Sequence, residues 1–402
     1  MDIKQAANSA TNKPLAIVMG RNYAARLCMI RAAGVSGCDV ILIQTNRKAT
    51  GDLKIDRKSH FIRECHYCPE PHKEELIKLL LNYKDEVRQK VLLPTDDYVA
   101  STVDTNMDLL SPYFLMPHVN HTQGAMLQIM DKNYQKELAS EVGMHTAKGW
   151  ISNYEDGRYS IPEGVTYPCF TKPQDSYMGQ LKQYMIRCEN ESELRSHLDA
   201  IGKIYQRPIL IEQYIHIEKE YAVLGLSLDD TSVIPAVIEM TSKRLGQTAT
   251  GIIYPISRIP NLQEHLEAFM RKTRLTGVFD IDLYESNGNV YFNELNTRIG
   301  ASGFALINDI QNLPELFINH LLGTLEKSSL SNKDFPEKSF ASEKVVRERY
   351  YAGELSFKEY KKALNSADIL SLKYEGDMGP YREFAKKDLI LPVWRLLRKI
   401  LK

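Results

Sequence analysis

The chain has 402 residues, 43% of them hydrophobic and 25% charged, an ordinary globular mixture that excludes a disordered or fibrous polypeptide. At about 150 residues per domain, this length accommodates two or three compact units. Basic and acidic residues both number 51, and zero net charge argues against a protein that binds nucleic acid by bulk phosphate neutralisation.

Six cysteines (28, 38, 65, 68, 169 and 188) are too sparse for a disulfide scaffold. The stretch from Met1 to Pro14 is polar and lacks the apolar core of a signal peptide. No run approaches the roughly 18 apolar residues of a membrane span. A cytoplasmic location is expected.

Leu15 to Met19 reads as a buried strand, Gly20-Arg21-Asn22-Tyr23 as a turn, the stretch to Ala33 as a helix and Val40 to Ile43 as a second strand. This βαβ order implies parallel pairing. Glu74 to Tyr83 reads as a helix, and Val91 to Leu93 as a strand ending in Pro94-Thr95-Asp96-Asp97. Residues 1 to 124 are thus expected to form an open parallel α/β domain. Ligands on such sheets gather at the carboxyl ends of strands, which makes Asn22, Asp96 and Asp97 substrate-binding candidates. A role as plain turn residues carries equal weight.

A second unit is expected over residues 125 to 325. Asp131 is a plausible N-cap, Lys132 to Val142 a helix and Gly143 its stop. Strand-like runs follow at Cys169 to Lys172, Ile209 to Ile211, Tyr221 to Leu228, Val233 to Met240, Val278 to Tyr284 and Val290 to Leu295. Helical patterns lie at Glu191 to Ile201 and Leu262 to Thr273. Leu313 to Leu322 closes the unit, with Pro314 near its start and Gly323 after it. Without strict alternation of strands and helices, this part reads as α+β. Glu326 to Lys344 reads as a polar connector, and the rest, to Lys402, as a mostly helical tail.

The most informative stretch runs from Val278 to Ser302. Two alternating strands flank Ser286-Asn287-Gly288-Asn289, a strong hairpin signal. With the turn centred near Gly288, Asp282 falls about opposite Glu294, and Asp280, Asp282, Glu294 and Asn296 share one face. Such oxygen donors suit Mg²⁺, which is commonly held by one or two carboxylates plus substrate phosphates. The competing reading is a solvated hairpin face. Lys132 at a helix start and Lys172 at a strand end can reach phosphate oxygens as point charges, although each alone reads more readily as a surface lysine. Glu212-Gln213-Tyr214-Ile215 leaves a strand, where backbone can meet a purine edge, and Glu220 follows as an acceptor for ribose hydroxyls.

This ordered series resembles the ATP-grasp superfamily: Lys132 within Asp-Lys, Lys172 within Thr-Lys-Pro, then Glu212-Gln-Tyr-Ile, Glu220, Asp282 and Glu294-Leu-Asn296-Thr-Arg298. The resemblance covers about residues 15 to 325, and the Glu-x-Asn-x-Arg ending is its most specific part. It is nearest to carboxylate–amine ligases similar to D-aspartate ligase and to carbamoyl-phosphate-synthase-like proteins. The fold it implies is an N-terminal open parallel α/β domain, a two-subdomain ATP-grasp unit (about 125–208 and 209–325) and a helical tail over 326–402.

The resemblance implies phosphate binding by Lys132 and Lys172, adenine binding by Glu212 and the Ile215 backbone, and ribose binding by Glu220. It further implies Mg²⁺ or Mn²⁺ coordination by Asp282, Glu294 and Asn296, and a catalytic role for Arg298 at the transferred phosphoryl group or the substrate carboxylate. Lys243, Arg244, Arg258 and Ser302 complete the substrate-binding candidates. Many relatives carry a glycine-rich loop after the second lysine. Here that loop is Gln174-Asp175-Ser176-Tyr177-Met178-Gly179, with a single glycine, a feature shared with ligases of the D-aspartate type. The implied reaction is ATP-dependent activation of a carboxylate as an acyl phosphate, followed by attack of an amine.

Two other readings stay open: a nucleotide-binding regulator with a degenerate ATP-grasp fold, and a dinucleotide-dependent oxidoreductase. The intact set Asp282, Glu294, Asn296 and Arg298 weighs against the first. The lack of G-x-G-x-x-G at Gly20 weighs against the second. Cys65-His66-Tyr67-Cys68 has no second CxxC partner, so zinc is not expected. Lys386 to Lys402 holds six basic residues against one acid, and Val393, Leu396, Leu397, Ile400 and Leu401 share a helical face. Residues 390–402 are therefore a candidate for peripheral contact with the inner membrane face or a partner, with packing on the protein as the alternative. Small-molecule carboxylate and amine substrates are the expected partners, and nucleic acid is not.

Overall fold

Six consecutive buried residues, Leu15–Gly20, form β1, and their unbroken apolar run marks a strand covered on both faces. In the computed structural model, which describes residues 13–47, 53–173, 185–307, 310–332 and 334–386, β1 leads into α1 (Tyr23–Val35) and β2 (Asp39–Gln44). Next come β3 (Ile62–Tyr67), α2 (Lys73–Leu81), β4 (Lys90–Pro94) and α3 (Asp97–Asp104). The sheet is parallel with order β3-β2-β1-β4, and Leu15 pairs with both Asp39 and Lys90. The chain winds from β1 outward to β3 and then returns to β4 on the other side of β1. This puts a topological switch point at the carboxyl ends of β1 and β4.

The chain clusters into two compact units. Unit 1 comprises Met1–Met126, Ala222–Asp280 and Asn296–Lys402, and unit 2 comprises Leu127–Tyr221 and Ile281–Leu295.

In unit 2, α4 (Lys132–Glu141) starts where the Asp131 carboxylate accepts from the Asn133 and Tyr134 N–H groups, and Gly143 follows it at φ +83°. Strands β5 (Gly149–Ser152), β6 (Cys169–Pro173), β7 (Arg187–Cys188) and β8 (Ile209–Gln213) form an antiparallel sheet in the order β7-β6-β8-β5. Helix α5 (Glu191–Gly202) packs Leu194, Leu198 and Ile201 against Cys169, Ile209 and Ile211.

The remaining strands are β9 (Lys219–Leu228), β10 (Thr231–Arg244), β11 (Gln247–Pro255), β12 (Leu275–Ser286) and β13 (Asn289–Asn296), with α6 (Leu262–Thr273) before β12. Helix α7 (Leu313–Leu321) begins with Pro314 in its first turn, as its sequence suggests. The hairpin between β12 and β13 turns on two residues only, Asn287 at φ +50° and Gly288 at φ +73°, the backbone that an Asn-Gly turn supplies.

The stretch read as a connector needs correction. Lys338–Ala341 within it is β14, which pairs antiparallel with β11 in unit 1, and β15 (Ile369–Leu370) pairs in parallel with β14. Four residues, of which only Phe340 and Ala341 are buried, are too few to show a strand period in sequence. Helices α8 (Glu343–Ala352), α9 (Phe357–Asn365) and α10 (Gly379–Ala385) make the rest of the C-terminal region helical. Arg31 of α1, 2% exposed, fastens this region in unit 1. It donates to the Ser371 carbonyl at 3.3 Å and the Leu372 carbonyl at 2.8 Å, and pairs with Asp377 at 3.3 Å. Among the described residues no helix is long and apolar enough to cross a membrane. The candidate contact segment 390–402 lies outside the described residues.

Candidate functional site

Unit 2 brings Lys172 to two lysines that lie far from it in sequence. Lys132 and Lys136 stand one helical turn apart on α4 and so share a face. Lys172 lies near the end of β6, where it is register partner to Leu210, so that strand β8 brings Glu212 beside it. The Glu212 carboxylate holds two ammonium groups, Lys172 at 2.6 Å and Lys136 in direct contact. Lys132 lies 3.5 Å from Glu294 on β13. All five side chains are largely withdrawn from solvent.

Burial and mutual repulsion mark these lysines. Burial first, then the Lys132 charge, brings the Lys136 ammonium down to about 8, against the pull of Glu294. Burial and the ammoniums of Lys136 and Lys132 hold Lys172 well below the ordinary lysine value. Such a cluster favours an anion that would offset its charge.

Gln135, 1% exposed, docks α4 onto β13. Its amide donates to the carbonyls of Leu295 and Ile129, both at 2.8 Å, and its oxygen accepts from the Leu295 N–H at 2.9 Å. The backbone between Glu294 and Asn296 is thereby fixed against the helix that carries the lysines.

The acidic groups converge on Tyr284. Its hydroxyl is pushed above the ordinary phenol range, chiefly by burial and then by the charges of Asp282, Glu220 and Glu294. The turn is centred on Asn287 and Gly288, and half-buried Asn293 and Glu294 lie between the buried Phe292 and Leu295 on β13. Asn293 is hydrogen-bonded to Tyr284.

The donor chemistry fits a hard divalent cation. Within unit 2, Asp282 and Glu294 offer carboxylates, the hard oxygen donors that such an ion takes. The described residues contain no group of three or more His, Cys, Asp and Glu side chains able to hold a metal. An ion at these donors would therefore depend on phosphate or water oxygens as well, which suits Mg²⁺.

In unit 1, Arg298 donates to Asp97 at 3.2 Å and to the Asn296 amide oxygen at 3.0 Å. Asn22 and Asp96 are occupied as helix caps: Asn22 accepts from the Ala24 N–H at 2.9 Å, and Asp96 from the Val99 N–H at 3.1 Å. Asp96 also accepts the Arg21 N–H at 2.7 Å, and Arg21 and Arg47 meet at the buried Glu70, at 3.0 and 3.2 Å. Burial holds the Glu70 carboxyl above its ordinary value. Gly20, at φ +148°, lets this turn close, since a Cβ there would lie 2.2 Å from the Thr95 hydroxyl. A Cβ on Gly300 would fall 1.8 Å from an Asp280 oxygen, so that glycine gives the buried carboxylate its room.

Arg244 pairs with Glu354 and Arg258 with Glu337, both on partly exposed surface. Lys243 is exposed on β10, and Ser302 is buried. Ile215 lies half-buried just beyond β8. The loop Gln174 to Gly179 is outside the described residues. Sequence reading missed Gln135, Lys136, Arg21, Glu70 and Gly300. The only signal for Lys136 was its four-residue spacing from Lys132.

Residues 137–312 match the ATP-grasp domain family. A D-alanine--D-alanine ligase from Bacillus cytotoxicus is 27% identical over 210 residues, 48% of this chain and 57% of the relative. The chain thus spans a little over half the length of that relative. A D-aspartate ligase from Enterococcus faecium is 20% identical over 342 residues, covering 79% of this chain and 77% of the relative. The crystal structure of an L-amino acid ligase from Bacillus licheniformis superposes with a TM-score of 0.63 at 15% identity, covering 82% of this chain and 80% of that one.

Proposed function

Because this chain carries an ATP-grasp domain, we propose that it is an ATP-dependent ligase that joins a carboxylate to an amine. The observation that carries this reading is the buried cluster in unit 2, where Lys132, Lys136 and Lys172 gather about Glu212 and Glu294. Lysines concentrated in this way suit a polyphosphate, and the carboxylates Asp282 and Glu294 suit the metal ion that accompanies one. The names of the relatives, ligases of D-alanine, D-aspartate and L-amino acids, make amino acids the substrates to try first.

In the proposed site, Lys132 and Lys172 bind ATP phosphates, Glu220 the ribose, and the backbone at Ile215 the adenine edge. The Glu212 carboxylate, with Lys136 and Lys172 on it, holds those two ammoniums in place and leaves base recognition to the backbone beyond β8. Asp282, Glu294 and Asn296 would hold Mg²⁺ or Mn²⁺, which when bound supplies charge stabilisation to the phosphates. The substrate carboxylate attacks the γ-phosphorus in line, forming an acyl phosphate and ADP. The amine then attacks the acyl carbon, the tetrahedral oxyanion collapses and inorganic phosphate leaves. Arg298, with a planar fork of donors, suits either the moving phosphoryl group or the oxyanion.

The test is product analysis with ATP, MgCl₂ and a panel of amino acids and other carboxylic acids. ADP and phosphate should appear only with the right acid, and hydroxylamine should trap that acid as its hydroxamate. AMP with pyrophosphate would refute the acyl-phosphate route. Nucleotide binding without turnover on any acid would favour a regulatory protein instead.

A further inference from the structure

We propose that Lys136 is a third lysine of the polyphosphate site, contacting a phosphate of the bound nucleotide alongside Lys132 and Lys172. The inference rests on the nucleotide-dependent reading above.

The argument begins with charge. Three ammonium groups share two carboxylates, since Lys136 and Lys172 both lie on Glu212 and Lys132 lies on Glu294. One lysine neutralises a buried glutamate. A second brings repulsion and its own desolvation, an arrangement that costs stability unless an anion completes it. Lys136 shows both effects, drawn below the ordinary lysine value by burial and by Lys132.

Geometry directs the ammonium to the same place as the other two. Lys136 follows Lys132 by one helical turn, and both project from the face of α4 that meets β13 and β8. Gln135 locks that face to the Leu295 backbone. Lys136 is buried, and its ammonium lies beside that of Lys172 on the Glu212 carboxylate. A lysine is a point charge on a flexible stem, able to move from a carboxylate oxygen to a phosphate oxygen nearby.

The experiment compares equilibrium binding of ATP and adenosine by the full-length wild type and by K136Q, with MgCl₂ present. Loss of one charge-assisted phosphate contact should weaken ATP about 30-fold. Adenosine, which has no phosphate, should stay within about twofold. Equal weakening of both ligands, or of neither, overturns the proposal. A second measurement uses folded wild type. In protein carrying ¹³C at lysine Cε, the Lys136 resonance, identified as the one that K136R removes, should shift with ATP and not with adenosine. A resonance unmoved by ATP overturns the proposal as well. Failure of the wild type to bind any adenine nucleotide would instead sink the ligase reading.

Discussion

Replacing Gln135 with methionine keeps the volume of the side chain and removes every polar contact it makes. Three buried hydrogen bonds are lost: two to the carbonyls of Ile129 and Leu295, and one from the Leu295 N–H. Each such bond contributes about 1 kcal/mol net, and leaving its partner buried and unpaired raises the cost towards 1–3 kcal/mol. The sum is about 3 kcal/mol or more, which corresponds to over a hundredfold in an opening equilibrium. The assay is native-state hydrogen exchange over residues 289–296, where the Leu295 amide should exchange about 100 times faster in Q135M. Exchange at Leu295 within threefold of wild type in Q135M would refute the reasoning.

Three further outcomes follow from the same contacts. Burial lowers Lys136 to about 8 in the folded chain, so the unfolded chain binds that proton more tightly, and this group makes stability rise with pH from about 8 towards 10.5. Lys136→Met should remove that part of the rise, as read from urea midpoints at pH 7.5, 9 and 10; parallel profiles would contradict it. Gly300→Ala drives a Cβ against the Asp280 carboxylate and should destabilise unit 1 by about 1–3 kcal/mol, visible as a lowered melting temperature. Arg31→Met removes the donors to Ser371 and Leu372 and the charge opposite buried Asp377, at a cost of about 3 kcal/mol. Faster exchange over residues 369–377 would register it, and unchanged exchange there would count against it.

The elements that sequence anticipated well are those specified by near neighbours. The Asp131 cap and Gly143 stop bound α4 because an N-cap oxygen and a left-handed glycine act within a few residues. Asn287-Gly288 fixed the hairpin for the same reason. Strand β14 escaped because only its pairing with β11 makes Lys338–Ala341 extended. Strand β11 escaped because Thr248, Ala249, Thr250 and Gly251 are small or polar and resemble a loop. Asn22 and Asp96 were singled out by their place at strand ends, a position shared by ligand-binding residues and helix caps, and only the hydrogen bonds distinguish the two roles.

The zero net charge with which the sequence began was informative about class and silent about arrangement. By itself the sequence determined the parallel βαβ start, the α4 boundaries, the hairpin and the order of motifs that resembles an ATP-grasp domain, all written in local spacing. Tertiary structure alone decided which charges meet. Glu212 lies beside Lys136 and Lys172, and Gln135 on the Leu295 backbone, only because strands β6, β8 and β13 are brought to one helix face. A lysine's partner depends on burial and through-space distance, and neither is encoded in the few residues on either side of it.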